Sequence, residues 1–309
     1  MVRQRTTQGA NLRTPSIGMR LASAITGKQA KKGEGKPVDL QRTRKQNDSM
    51  TDRFLRTPRG VSLSEEKIAG IPVVRFSSGS SNGTILFLHG GAYALGNAKQ
   101  AGTAARVCLN GGPDIVSVEY RLAPEHPFPA AVDDAIAVYR ELITSVGPAN
   151  LVVAGESAGG GLLLLLLQRA RDENLPMPAG AAPLFPWADL SMSGRSSTAN
   201  MGRDMLVKSD LITEAAWFAG NHSLKSAAVS PAFGSFQGFP RTYIAVGAND
   251  LLVDDSRRCV AAMEAEGVDV TLAEYPGTIH GFTAIGFRET QHHRKQFAAF
   301  VRSCLSGAK

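Results

Sequence analysis

The chain has 309 residues, of which 43% are hydrophobic and 20% charged, a balance that excludes wholesale disorder and leaves enough length to bury a large core. Its 34 Lys and Arg against 27 Asp and Glu give a net charge of +7, which on its face invites a polyanionic partner. That charge is uneven: residues 1–60 hold 14 basic against 4 acidic side chains, whereas residues 61–309 hold 20 against 23.

Residues 1–60 predict two short helices, one around Ile17–Ile25, joined by a loop at Gly33–Lys36. Their only aromatic residue is Phe54, so the interleaving of rings with Lys and Arg that nucleic-acid binding uses is missing, and no nucleic-acid partner is expected. Arg3, Arg5, Arg13 and Arg20 precede the first acid, Glu34, a bias that also suits a targeting leader. A structural segment of the fold is the preferred reading.

Val61–Ile68 and Ile71–Phe76 read as a hairpin turning at Ala69-Gly70. Apolar runs follow at Thr84–Leu88, Asp114–Tyr120, Leu151–Ala154, Ala179–Phe185, Thr242–Val246 and Val268–Tyr275. They alternate with helix-length stretches at Ala98–Leu109, Ala130–Ser145, Ala158–Arg171, Ser256–Glu266 and Glu289–Leu305. Such alternation predicts an α/β fold, with a mostly parallel central sheet flanked by helices and its ligand site along the strand C-termini. Residues 189–230 break the rhythm and read as an inserted, partly helical segment.

Leu162–Leu167 is the longest leucine run, far short of the ~20 apolar residues of a membrane span. It reads as a buried core helix. With no span and no apolar leader between the early arginines, a soluble cytoplasmic protein is expected. Cys108, Cys259 and Cys304 are widely spaced and predict neither a disulfide framework nor a zinc site; each reads as a small buried apolar residue.

The chemistry concentrates in a few short stretches. Gly155-Glu156-Ser157-Ala158-Gly159 lies directly between an apolar run and a helix. In that context G-x-S-x-G is a nucleophile elbow, lifting Ser157 above the sheet edge with a helix N-terminus behind it. His89-Gly90-Gly91-Ala92-Tyr93 follows another strand-like run, and its glycines let backbone N–H groups approach a developing oxyanion. Gly90, Gly91 and Ala158 are the candidate donors, and His89 suits a loop-bracing role.

A serine nucleophile needs a base and an orienting carboxylate. Among the six histidines, His292 and His293 sit in a polar helical stretch and read as solvated, His222 lies in the inserted segment and His126 in a proline-rich loop. His280 follows a strand and a Pro276-Gly277 turn on the expected active edge, and is the candidate base. Asp250 is the first acid after Thr242–Val246 and is the candidate carboxylate, ahead of Asp254; Asp254 and Asp255 are expected to face solvent or cap a helix. The order Ser, Asp, His is that of the α/β-hydrolases. No metal or cofactor is required.

Together His89-Gly90-Gly91, Tyr120–Ala130, Gly155–Gly160, Asp250 and His280-Gly281-Phe282 make the chain resemble the hormone-sensitive-lipase-like group of α/β-hydrolase esterases (bacterial family IV carboxylesterases), over residues 60–305. The resemblance implies a serine carboxylesterase acting on uncharged short- to medium-chain esters. It also implies a helical cap built from residues 1–50 and from an insertion after the sixth strand, here 189–230, over a catalytic domain spanning 51–309. Tyr93, Trp187, Trp217 and Phe218 are candidate substrate-binding residues, with Phe185, Met201, Met205 and Leu206 as further pocket candidates. Ala92 stands where a third glycine is common and Glu156 where Asp or Thr is common; neither change removes a backbone donor. The prolines of Tyr120–Ala130 read as a rigid brace for the oxyanion loop. An amidase, lactonase or deacetylase on the same site, or a non-catalytic ligand-binding protein of this fold, are the alternatives. The oligomeric state is left open, a homodimer included.

Overall fold

The computed structural model describes residues 5–6, 12, 14–54, 57–284 and 286–305; Arg3 and Arg13, on which the targeting-leader reading rests in part, lie outside the described residues. In chain order the first elements are β1 (Arg5–Thr6), α1 (Ile17–Gly33), α2 (Leu40–Phe54) and the hairpin β2 (Ser62–Ile68) and β3 (Ile71–Ser77). They are followed by β4 (Thr84–Leu88), β5 (Asp114–Val118), α3 (Ala130–Ser145), β6 (Leu151–Glu156), α4 (Ala158–Asp172) and β7 (Gly180–Leu184). The inserted segment holds α5 (Ser196–Ala199) and α6 (Lys208–Ala219), and β8 (Thr242–Gly247), α7 (Val253–Ala265), β9 (Val270–Tyr275) and α8 (Arg288–Leu305) complete the chain.

The strands form one sheet in the order β1-β9-β8-β7-β6-β4-β5-β3-β2. Pairs from β5 through β4, β6, β7 and β8 to β9 are parallel, and among the described residues only β3–β5 and the β2–β3 hairpin are antiparallel. The central strands are buried on both faces, which is why they read as continuous apolar runs rather than as alternating ones. Helix α4 lies behind the site with Leu162–Leu167 all buried, each side chain stabilising the fold by about 2 kcal/mol. The three cysteines are free and buried. No helix among the described residues is long and apolar enough to cross a membrane.

The N-terminal helices are seated on the inserted segment and the sheet edge. Ser16 caps α1 through Met19 N–H (3.2 Å) and is itself held by the buried Glu289 carboxylate of α8. A Cβ at Gly27 would sit 2.2 Å from the Gly202 carbonyl, so only glycine allows this approach of α1 to the insertion. Glu34 accepts the N–H groups of Lys208 (3.1 Å) and Ser209 (2.9 Å), stabilising the N-terminus of α6. Arg44 of α2 makes a bidentate pair with Glu125 (2.7 and 2.8 Å) and donates to the carbonyls of Ala94 and Ala123. Part of the basic N-terminal charge is therefore spent on intramolecular contacts.

Three expectations are corrected. Ala98–Leu109 is not one helix but two short 3₁₀ turns, Ala98–Thr103 and Ala105–Cys108, separated at Ala104; Gly102 in the first turn disfavours a continuous α-helix, and Glu119 anchors its first N–H at 2.7 Å. His293 is buried, stacked near Phe297, because it shares the inward stripe of α8 with Phe297, Val301 and Cys304. Burial lowers its imidazole to about 3. Asp255 does not face solvent: it is buried and accepts the N–H groups of Ala188 (3.0 Å) and Asp189 (2.9 Å), pinning the start of the insertion.

Candidate active site

Strands β4, β6, β8 and β9 run parallel, so the loops at their C-terminal ends emerge on one edge. Those loops carry Gly90-Gly91, Ser157, Asp250 and His280. Ser157 has φ +55° and ψ −120°, the strained turn of an elbow between β6 and α4. Its N–H is held by the Leu184 carbonyl (3.0 Å), while its carbonyl accepts from Gly161 and Trp187 (both 3.0 Å). Gly159 is required because a Cβ there would lie 2.1 Å from the Leu88 carbonyl oxygen and 2.3 Å from that of His89. The elbow and the oxyanion loop thus pack backbone against backbone.

His280 Nε2 lies 2.8 Å from Ser157 Oγ, and His280 Nδ1 lies 2.8 Å from Asp250 Oδ2. Asp250 is fully buried and His280 is 5% exposed. The second Asp250 oxygen accepts the Leu252 N–H at 2.8 Å, which fixes the carboxylate in its loop. Phe185 meets the imidazole edge to face at 4.9 Å. Burial opposes a charge on His280, but Asp250, then Asp204 and Glu156, outweigh it and hold the imidazole above its usual value. Asp250 is thus placed to favour the imidazolium that forms when a serine proton is taken.

Gly90 lies against the elbow: a Cβ there would sit 3.4 Å from Ser157 Cβ. His89 is fully buried, donates from Nδ1 to the Gly90 carbonyl (2.8 Å) and stacks on Tyr120 at 4.1 Å. Burial lowers it to about 4, so it is neutral at physiological pH and braces the loop. Tyr120 Oη donates to the His89 carbonyl (2.7 Å) and Ala123 N–H to that of Tyr93 (2.9 Å), so Tyr120–Ala130 supports this loop from behind. Glu156 accepts from Thr283 Oγ1 (2.9 Å), tying the elbow to the loop after His280.

Gly91 has φ +117°, and a Cβ there would fall 2.2 Å from the Leu95 carbonyl. On the expectation that Gly91 N–H donates to an oxyanion, Gly91→Ala should leave a folded protein with hydrolytic turnover reduced about 100-fold. Steady-state kinetics beside circular dichroism checks this, and near-wild-type turnover would contradict it.

Tyr93, Trp187 and Phe218 are all under 2% exposed. Tyr93 stacks on Phe218 at 3.8 Å and lies 5.9 Å from Trp187, so Phe218 of α6 packs with these two rings in a closed layer rather than an open wall. Trp217 is half-buried, and Met205 is 43% exposed, its sulfur 3.7 Å from where a Gly281 Cβ would sit. On the buried face of α6, Glu214 precedes Phe218 by one turn. Burial, then Asp210, pushes its carboxyl up to about 8. A carboxyl whose folded value lies above its unfolded one loses stability as pH rises between the two. Glu214→Gln should then raise the melting temperature at pH 9 by about 4 °C and change little at pH 4. An unchanged or lower melting temperature at pH 9 would show that the carboxylate is well accommodated.

Sequence reasoning missed Asp204, Asn200 and Thr283, which touch the loops of Ser157, Asp250 and His280 from the insertion and from beyond His280. Nothing in local spacing marks them.

Comparison with known proteins identifies the family. The α/β-hydrolase fold family matches residues 85–284. An acetyl-hydrolase of Streptomyces hygroscopicus is 38% identical over 206 residues, covering 64% of this chain and 67% of its own. An esterase of Acinetobacter venetianus is 28% identical over 254 residues, covering 79% and 82%. The crystal structure of a hormone-sensitive lipase from a metagenome library matches with a TM-score of 0.88 at 31% identity, over 94% of this chain and 100% of that one. The chain belongs to the α/β-hydrolase family, in its hormone-sensitive-lipase-like group of carboxylic ester hydrolases.

Proposed function

We propose that Ser157, His280 and Asp250 are the catalytic triad of a carboxylesterase for short- to medium-chain esters, with Gly90, Gly91 and Ala158 as oxyanion donors. The observation that carries this is the hydrogen-bonded line from Asp250 through His280 to Ser157, with 2.8 Å at each step, beside a glycine loop at the elbow. Ser157 Oγ attacks the ester carbonyl while His280 Nε2 takes its proton, and Asp250 fixes the tautomer with the proton on Nδ1. The alkoxide oxygen is received by backbone N–H groups, including that of Ala158 in the first turn of α4, where helical N–H groups have no intrahelical acceptor. Collapse of the intermediate expels the alcohol with the proton from His280. Water, activated by the same imidazole, then releases the acid and restores Ser157.

The N-terminal helices and the insertion serve as the cap over this edge. Their close seating supports that role, and so does Met205, partly exposed beside Gly281. Ester specificity is tested with matched p-nitrophenyl esters and p-nitroanilides of acetyl, butyryl, hexanoyl and decanoyl groups. Turnover should be highest for the shorter esters and negligible for the anilides. Equal or faster anilide cleavage would make the protein an amidase, and no turnover with any of them would remove the esterase assignment.

A further inference from the structure

The inserted segment does more than cover the sheet edge: residues 196–204 reach the loops of Asp250 and His280. Asp204 is fully buried. Its Oδ1 accepts the N–H of His280 (2.8 Å) and of Met205 (2.7 Å), and its Oδ2 accepts the N–H of Leu251 (2.8 Å). One carboxylate thereby grips the backbone of the base itself and of the residue next to Asp250. Asn200 adds donation from Nδ2 to the carbonyls of Asp250 (2.8 Å) and Ala248 (3.1 Å), and Ser196 Oγ donates to that of Leu251 (2.7 Å). Directly between the two loops, Asn249 N–H donates to the Thr278 carbonyl (2.9 Å).

We propose that Asp204 is a positioning residue for the triad, setting the loops of Asp250 and His280 and the charge around the imidazole, so that seating of the insertion and assembly of the triad are one event. This rests on the esterase reading above. Three N–H groups converge on two oxygens, and an amide of the same shape would turn its own NH₂ toward one of them. The charge also matters. The ionisable groups facing His280 are Asp250, Asp204 and Glu156, all acidic, and those facing Asp204 are Asp250 and His280. Burial and the neighbouring Asp250 push the Asp204 carboxyl up to about 7, against the pull of His280 and the N–H groups it accepts. Removing one of the acids around the imidazole leaves its charged form less favoured.

The test uses the full chain with Asp204→Asn and Asn200→Ala. Kinetics on p-nitrophenyl butyrate are read beside a substrate-free proton NMR titration of the downfield Nδ1 proton of His280. Asp204→Asn should lower kcat about 30-fold with KM nearly unchanged, the size of a lost charge-assisted hydrogen bond, and move the imidazole midpoint to lower pH. Asn200→Ala should lower kcat less and leave that midpoint in place, because it removes a hold on the Asp250 loop but no charge. Unchanged kcat or an unmoved midpoint in Asp204→Asn would overturn the proposal. If that variant does not fold, full kcat in Asn200→Ala overturns it instead. Wild type that turns over no ester but keeps the titrating proton would count against the esterase reading alone.

Discussion

Ser157→Ala is expected to lower kcat/KM for a short aryl ester by about 10⁶-fold, while circular dichroism and melting temperature stay near wild type. The size follows from what the hydroxyl does. In the proposed mechanism it is the atom that forms the acyl-enzyme, and with Oγ gone His280 would lose the alcohol it meets at 2.8 Å. What survives is the contribution of the oxyanion loop and of binding, which does not depend on the nucleophile. The backbone conformation at position 157 is held by the bonds to Leu184, Gly161 and Trp187, and those involve no side-chain atom. Fold and chemistry should therefore separate cleanly in this variant. A loss smaller than tenfold would mean that another group attacks the ester.

Asp250→Asn is the second large effect, at about 10⁴-fold in kcat. The amide fits the same volume, but it can present NH₂ to Nδ1, which favours the tautomer with its proton on Nε2, the atom that must accept from Ser157. The pH dependence gives an independent sign. His280 lies above its usual value because Asp250, Asp204 and Glu156 together outweigh burial. The imidazole must be neutral to take a proton, so wild-type kcat/KM should rise with pH through a midpoint above the ordinary histidine value of about 6.5. Loss of the Asp250 charge favours the neutral form, so in Asp250→Asn the rise should move to lower pH while the plateau falls. A plateau that falls with no movement of the midpoint would separate Asp250 from the electrostatics of the base. The same raised value has a stability counterpart. The stabilisation from charged His280 is fully present below its unfolded value and is lost as pH rises through its folded one.

The candidate site was legible where its motifs are local in the chain. The Ser157 elbow and the Gly90-Gly91 loop each combine a strand end with glycines that the backbone packing demands, since Gly159 meets the carbonyls of Leu88 and His89. Strand and helix alternation supplied the parallel sheet, and with it the edge where Asp250 and His280 emerge. Asp204 could not be found in this way, because its partners Leu251 and His280 are 47 and 76 residues distant and its own surroundings are polar and irregular. The misreading of His293 has a different cause. The polar composition of residues 288–296 hid a helical stripe of Thr290, His293, Phe297 and Val301, all of them buried in α8. Helix α1 proved longer than its apolar pattern suggested. Its buried positions are Met19, Ser23, Gly27 and Ala30, mostly small residues with little hydrophobic signal, chosen for close approach to the insertion.

The charge imbalance also takes a physical form. Arg44 from the basic N-terminal segment binds Glu125 and two carbonyls of the loops bracing Gly90-Gly91. Part of that cationic character belongs to the support of the site.

The central claim is that Ser157 is the nucleophile activated by His280. It is tested most directly by treating the folded protein with an aryl fluorophosphonate and mapping the adduct by peptide mass spectrometry. The account predicts a single phosphonyl group on Ser157, absent from Ser157→Ala and forming more slowly as pH falls and His280 becomes protonated. An adduct on a different residue, with ester turnover retained in Ser157→Ala, would contradict it.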